Sequence, residues 1–268
     1  MFKEDTFKDK IVLVTGGRSG IGFQIAKDFL TLGACVFICS RNEDKLMVAL
    51  EELKVFGEAY AQSCDIRKPY EIAALASYIK DTKGRLDILV NNAGGQFPAL
   101  AEYISDNGWM AVINNNLNGN FFVTKTMAHE FFIPQASGNV VNIIADIYRG
   151  FPGMAHTGAA RAGVDNLTKS LAQEWARYNM RLNCVAPGYI DSSGLENYPQ
   201  EIRDKFAEAM KAIPLQRFGS VEEVSSAVCF LASDLASYIS GTTLYVDGAQ
   251  HLNFDKMGLP EVLRSFME

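Results

Sequence analysis

The stretch Thr15-Gly16-Gly17-Arg18-Ser19-Gly20-Ile21-Gly22 constrains this chain more than any other. It follows an apolar run, Ile11-Val12-Leu13-Val14, and opens a helix-like pattern over residues 23–32. Strand, glycine-rich turn and helix, in that order, form the context in which a dinucleotide phosphate binds. The phosphate lies almost on the backbone, so side chains must be absent. Free N–H groups at the helix start then hold its charge. Gly16, Arg18, Ser19, Gly20, Ile21 and Gly22 are therefore the expected cofactor contacts. A tight turn without a ligand is the bland alternative.

The rest of the sequence repeats that alternation. Strand-like runs at 11–14, 35–39, 59–64, 86–90, 140–144, 181–185 and 243–246 are separated by amphipathic stretches such as 43–54, 70–82, 119–132, 158–178 and 221–232. The pattern predicts a doubly wound α/β fold of Rossmann type, about seven parallel strands with helices on both faces. No repeat or linker interrupts it, so 1–268 reads as one domain with a C-terminal tail, 249–268. At 48% hydrophobic residues the chain can bury a sizeable core without disulfides. The tail carries Leu252, Phe254, Met257, Leu259, Leu263 and Phe266 and is apolar enough to pack.

The net charge of −6, with both signs interspersed, argues against a nucleic-acid partner, which needs a basic face. Cys35, Cys39, Cys64, Cys184 and Cys229 form no C-x-x-C pair and read as buried small hydrophobes in a reduced, cytoplasmic setting. A polar N-terminus and the lack of a long apolar run argue against a signal peptide or a membrane span. His129, His156 and His251 lack ligand spacing, so no metal is expected.

In such a sheet ligands bind beyond the carboxyl ends of the strands. The second run ends in Ser40-Arg41, where an NAD-binding chain would place a carboxylate for the ribose 2′-hydroxyl. An arginine there, with Arg18 nearby, suits a 2′-phosphate, so the expected cofactor is NADP(H). A solvated Arg41 is the alternative. The third run ends in Asp65-Ile66-Arg67. Asp65 is placed to accept from the adenine amino group, or to cap a helix. Arg67 is a surface charge or a contact to an anionic substrate group. After the fourth run, Asn91-Asn92-Ala93-Gly94-Gly95-Gln96-Phe97 is small enough to approach the cofactor ribose through Asn92, Ala93 and Gly94. Asn116-Leu117-Asn118-Gly119 interrupts a helical stretch with poor helix formers, which is tolerated when freed backbone groups do other work.

Thr15–Gly22, Asn91–Gly94, Asn116–Gly119 and Pro187-Gly188 together resemble the short-chain dehydrogenase/reductase family over nearly the whole chain. The resemblance implies a nicotinamide cofactor, hydride transfer and a homotetramer. It places Pro187, Gly188 and Ile190 near the nicotinamide carboxamide. It also makes 191–213 a lid in which Arg203, Lys205 and Lys211 could meet coenzyme A phosphates.

The family's Ser and Tyr-x-x-x-Lys signature is altered. Thr157 stands at the tyrosine position and Arg161 at the lysine position, and Ile144 or Ala145 replaces the serine. Threonine is a far weaker acid than tyrosine, and arginine does not give up its proton. Arg161 can still hydrogen-bond the nicotinamide ribose, and it shares a helix face with Thr157.

Gly94-Gly95-Gln96-Phe97, Val141-Asn142-Ile143-Ile144, Phe151-Pro152 and His156-x-Gly-Ala-Ala-Arg161 resemble one branch, the peroxisomal trans-2-enoyl-CoA and 2,4-dienoyl-CoA reductases. Bacterial proteins of citronellal or terpenoid catabolism look similar. That branch sends hydride to a carbon–carbon double bond conjugated to a thioester, and donors hold the developing enolate oxygen. By resemblance, Tyr148 is the candidate proton donor or enolate stabiliser, with Asn116 assisting. The alternatives are Asp146 as the acid, or a Tyr148 that merely lines the wall. Gln96 and Phe97 are expected at the substrate. The expected function is NADPH-dependent reduction of 2-enoyl thioesters. The rivals are an alcohol, aldehyde or 3-hydroxyacyl dehydrogenase using Thr157, and a cofactor-binding scaffold without turnover.

Overall fold

A computed structural model describes residues 2–192, 200 and 210–252. Seven strands form one parallel sheet: β1 (Ile11–Thr15), β2 (Cys35–Ser40), β3 (Ala59–Ser63), β4 (Ile88–Asn91), β5 (Gly138–Ile143), β6 (Met180–Pro187) and β9 (Thr243–Val246). A short parallel pair, β7 (Ile190–Asp191) and β8 (Gly219–Ser220), stands apart. The sheet order is β3-β2-β1-β4-β5-β6-β9. The chain winds outward from β1 to β3, then returns to β4 on the other side of β1. That reversal opens a crevice above β1 and β4, where ligands of doubly wound folds bind.

Helices cover both faces. Val12, Val14, Val36, Ile38 and Val90 pack against α1 (Gly20–Thr31), α2 (Glu43–Leu53) and α8 (Val221–Ala232). Leu13, Phe37, Leu89, Val140 and Leu182 face α3 (Pro69–Lys83), α5 (Gly119–Met127) and α7 (Ala155–Glu174). Strands buried on both faces read as unbroken apolar runs, which is why β1 and β2 stand out in the sequence.

The stretch expected as one helix over 119–132 is longer and less regular. A helical run begins at α4 (Asp106–Ile113), capped by the Ser105 side chain, and continues through α5 to α6 (Ile133–Gln135). Two π-helical turns, Asn114–Asn118 and Ala128–Phe132, interrupt it. At the first, the Gly119 N–H reaches back to the Asn114 carbonyl, and Asn118 Nδ2 donates to Asn114 Oδ1 at 2.7 Å. The poor helix formers mark that turn. The second carries no such marker.

Gly158 and Gly163 of α7 serve contacts within the chain. A Cβ on Gly158 would lie 2.8 Å from the Phe151 Cβ, and one on Gly163 would lie 3.1 Å from Leu117. Among the described residues no helix is long and apolar enough to cross a membrane.

Candidate cofactor and active site

The site is built from the first turn outward. Gly16 adopts φ +67°, and its N–H donates to the Cys39 carbonyl at 2.8 Å, which bends the chain over the end of β2. Helix α1 then starts at Ser19, whose side chain makes no cap bond, with no acidic residue in the first turn. Its N-terminal partial positive charge is left for an outside anion. Asn92 ties this turn to β4. Its Nδ2 donates to the Thr15 carbonyl at 3.0 Å and the Gly16 carbonyl at 3.2 Å. The Thr15 hydroxyl accepts from the backbone of Asn92 and Ala93, both at 3.0 Å.

A groove of about 550 Å³ runs along these loops. It brings together Gly16, Arg18 and Ser19 from the first turn, Ser40 and Arg41 from β2, Ile66, and Asn92, Ala93 and Gly94. Cys39, Asn42, Cys64 and Asn115 also line it. The sequence reading passed over these four, although Cys39, Asn42 and Cys64 carry the same signal as their neighbours, a position at a strand end. Gly20, Ile21 and Gly22 form the adjoining first turn of α1.

Asp65 and Arg67 lie just after β3. The Asp65 carboxylate takes the Arg67 guanidinium, with Nε at 2.8 Å and Nη2 at 2.5 Å. That hydrogen bond holds the Asp65 carboxyl below its ordinary range. Asp65 does not cap a helix, since α3 starts at Lys68 with Pro69 in its first turn. Arg67 is the partner of Asp65. Two residues apart at a strand exit, opposite charges close on each other locally.

Asn116 is held by the loop after β4. Its Oδ1 accepts from the Gly95 N–H at 3.0 Å and its Nδ2 donates to the Gly95 carbonyl at 2.9 Å. The π turn thus aims a fully buried amide at the loop after β4 and fixes that loop. With both ends of its amide engaged by Gly95, Asn116 positions backbone.

Arg161 lies against this loop. A Cβ on Gly94 would fall 2.3 Å from Arg161 Nη2 and 3.0 Å from Asn116 Oδ1, so only glycine leaves room. Arg161 is 8% exposed, and its Nη1 has no hydrogen-bond partner among the described residues. Burial pushes its pKa down to about 10, so it stays cationic at neutral pH. A buried cation without a counter-ion is costly unless a ligand supplies acceptors.

Thr157, one turn earlier on the same face, is fully buried. Its N–H donates to His156 Nδ1 at 2.8 Å. This bond assigns the His156 proton to Nε2, which is buried and unpartnered among the described residues. The Phe97 ring stands edge-on to His156, centroids 4.5 Å apart, and is wedged on its other side against Gly108. Phe97 and Gln96 are exposed on that loop.

Tyr148 is placed elsewhere. It is exposed in the loop after β5, and its N–H donates to Asp146 Oδ1 at 3.2 Å. Its ring meets Tyr245 and His251, with centroids at 6.2 and 5.5 Å. No hydrogen bond or ring contact joins it to Asn116, Thr157 or Arg161 among the described residues. Burial first, and the nearby Asp247 second, push the Asp146 carboxyl pKa up.

An acid raised on folding destabilises the fold once ionised. The cost is absent below the ordinary carboxylate range and complete above the raised value. Asp146→Asn is therefore expected to raise the melting temperature at pH 7 and to leave it unchanged at pH 3. Equal shifts at both pH values would contradict this.

Pro187 and Gly188 end β6, and a Cβ on Gly188 would lie 2.7 Å from the Asp247 Cβ. The Ile190 side chain is buried in the core, so only its backbone is available to a cofactor. Lys211 sits exposed on a short turn. Arg203, Lys205 and most of the proposed lid lie outside the described residues, as do Phe254, Met257, Leu259, Leu263 and Phe266. No group of three metal-ligating side chains occurs among the described residues.

A doubly wound sheet with a glycine-turn groove and a buried arginine beside it has the layout of a dinucleotide-binding enzyme. Residues 16–251 match the family model described as enoyl-(acyl carrier protein) reductase, and the chain belongs to the short-chain dehydrogenase/reductase family. It is 38% identical to a Bacillus subtilis protein described as a probable 2,4-dienoyl-CoA reductase, over 91% of this chain and 97% of that one. A citronellol catabolism dehydrogenase of Pseudomonas aeruginosa superposes with a TM-score of 0.84 at 36% identity, over 94% of this chain and 98% of that one. The actinorhodin polyketide ketoreductase, solved with NADPH, superposes at 0.86 and 30% identity, over 94% and 99%.

Proposed function

We propose that this enzyme reduces 2-enoyl or 2,4-dienoyl thioesters of the coenzyme A type with NADPH. The observation that carries the reading is the altered signature in its structural setting. A buried Thr157 replaces the usual phenol, while Arg161 remains beside Gly94 with an unpartnered Nη1. The site keeps what binds the cofactor and lacks what protonates a carbonyl oxygen. The similarity to the Bacillus subtilis relative supports the same choice.

The residues present fit a nicotinamide dinucleotide. The open α1 N-terminus would take the pyrophosphate, Asn92, Ala93 and Gly94 would approach the ribose, and the orphaned Arg161 Nη1 would donate to its hydroxyls. When bound, the reduced cofactor supplies a hydride. Addition to the conjugated alkene pushes charge onto the thioester oxygen, so donors placed there lower the barrier. Phe97 walls the acyl side. Tyr148 gives its hydroxyl proton to carbon and recovers one from solvent, to which it is exposed.

Arg18 and Arg41 line the groove, and no carboxylate is among its described lining residues, which supports NADP(H) over NAD(H). Arg41→Ala is expected to weaken NADPH binding about 10–100-fold, the loss of charged hydrogen bonds, and to leave NADH binding unchanged. Fluorescence titration with both cofactors checks it. An equal loss for both would remove Arg41 from specificity.

The testing experiment follows NADPH oxidation with trans-2-enoyl-CoA, 2,4-dienoyl-CoA, 3-oxoacyl thioesters and terpenoid aldehydes. Turnover confined to the first two supports the proposal. Turnover of carbonyl compounds alone favours the dehydrogenase reading, and binding without any turnover favours a scaffold.

A further inference from the structure

Tyr148 is 62% exposed, yet it is not loose. Tyr245 and His251 stack with centroids 4.1 Å apart and planes 18° from parallel. Tyr148 meets both nearly at right angles, 90° to Tyr245 and 77° to His251. Edge-to-face contact on a stacked pair is a favoured geometry for an aromatic ring. A second tie sits next door, where Arg149 Nη2 donates to the Leu252 carbonyl at 2.8 Å.

The stack is locked from below. Asp247 Oδ2 lies 2.6 Å from His251 Nδ1 and accepts the His251 N–H at 2.8 Å, while its Oδ1 accepts the Ala249 N–H at 3.0 Å. The Asp247 side chain is only 3% exposed. It also abuts Gly188, just after β6. The loops after β5, β6 and β9 therefore meet at one point, with Tyr148 on top.

We propose that the Tyr245–His251 stack, clamped by Asp247, is a platform that holds Tyr148 for proton delivery, with His251 as its positioning residue. This inference rests on the reading of Tyr148 as the proton donor. In this role His251 touches neither cofactor nor substrate. It acts only through the phenol ring it supports.

Two variants separate packing from chemistry. His251→Ala removes the platform, and His251→Phe keeps a ring for Tyr148 to rest on. With NADPH and an enoyl-CoA substrate, His251→Ala is expected to lower kcat about tenfold or more, the effect of a misplaced reacting group. KM for both substrates stays within about twofold, and the solvent deuterium isotope effect increases because proton transfer becomes slower. His251→Phe recovers most of the rate. In a Tyr148→Phe background, His251→Ala has no further effect, as a residue acting only through Tyr148 requires. A wild-type rate in His251→Ala, or a further loss in the Tyr148→Phe background, overturns the inference.

Fluorotyrosine-labelled protein gives a readout without turnover. The ¹⁹F resonance assigned by Tyr148→Phe should move toward the free-tyrosine shift in His251→Ala. An unmoved resonance overturns the platform. A moved one, in an enzyme that reduces no thioester, leaves the platform standing and removes the proposed substrate class.

Discussion

Arg161→Met is expected to stabilise the cofactor-free protein while nearly abolishing its use of NADPH. The native guanidinium is buried and, among the described residues, has no carboxylate partner and leaves Nη1 unbonded. Depression of its pKa from 12.5 to about 10 corresponds to a cost of about 3 kcal/mol for burying the cation. That cost holds at every pH below the folded value and fades as the pH rises through it, because only then can the folded state shed the proton. Methionine fills similar volume without charge, so urea melts should show a gain of about 1–3 kcal/mol. The loss appears on binding. Without charged hydrogen bonds to the ribose, NADPH affinity falls about 100-fold, and the thermal shift given by NADPH largely disappears. A variant that is less stable without cofactor, yet shifted as much by it, would show that Arg161 is structural.

Gly22→Ala is expected to damage the fold and the cofactor groove together. Its new Cβ would lie 2.3 Å from Asn92 Nδ2 and 2.5 Å from the Gly16 carbonyl oxygen. The carbonyl is backbone and belongs to a turn whose N–H is already bonded under β2. The Asn92 amide cannot swing away without losing the carbonyls of Thr15 and Gly16. Overpacking of this kind costs about 3 kcal/mol, which lowers the melting temperature by about 6–12 °C in a chain of this size. NADPH should then give no protective shift at any practical concentration. A normal melting curve with normal cofactor protection would mean that the turn relaxes more easily than its bonds suggest.

Both predictions concern residues that could be picked out before any coordinates. Strand ends are legible because burial on both faces makes each central strand an apolar run, and the residue after the run must lie at the ligand edge. This reasoning located Gly16, Arg18, Ser40, Arg41, Ile66 and Asn92. It is blind where side chains choose partners. Asp65 is bonded by a residue only two positions away, whose charge a residue-by-residue reading treats as separate. Asn116 is bonded by Gly95 from another element, a pairing with no local signature. The contact of Tyr148 with His251 spans about a hundred residues and depends on three loops meeting above the sheet. The π turn at Asn114–Asn118 was foreshadowed by its composition, but the one at Ala128–Phe132 was not.

A π turn is a helix that has absorbed one extra residue. Each such insertion rotates everything beyond it by about 100° relative to an uninterrupted helix. The stretch from Asp106 to Gln135 therefore works as a three-part shaft with two fixed phase shifts. The first part presents Gly108 to Phe97, and the turn itself presents Asn116 to Gly95. The parts beyond present Val123, Met127 and Phe131 to the sheet. Loss of one asparagine from the first turn could heal the hydrogen-bond ladder while misdirecting one set of these contacts. In this helix the count of residues, more than their identity, couples the Phe97 loop to the core.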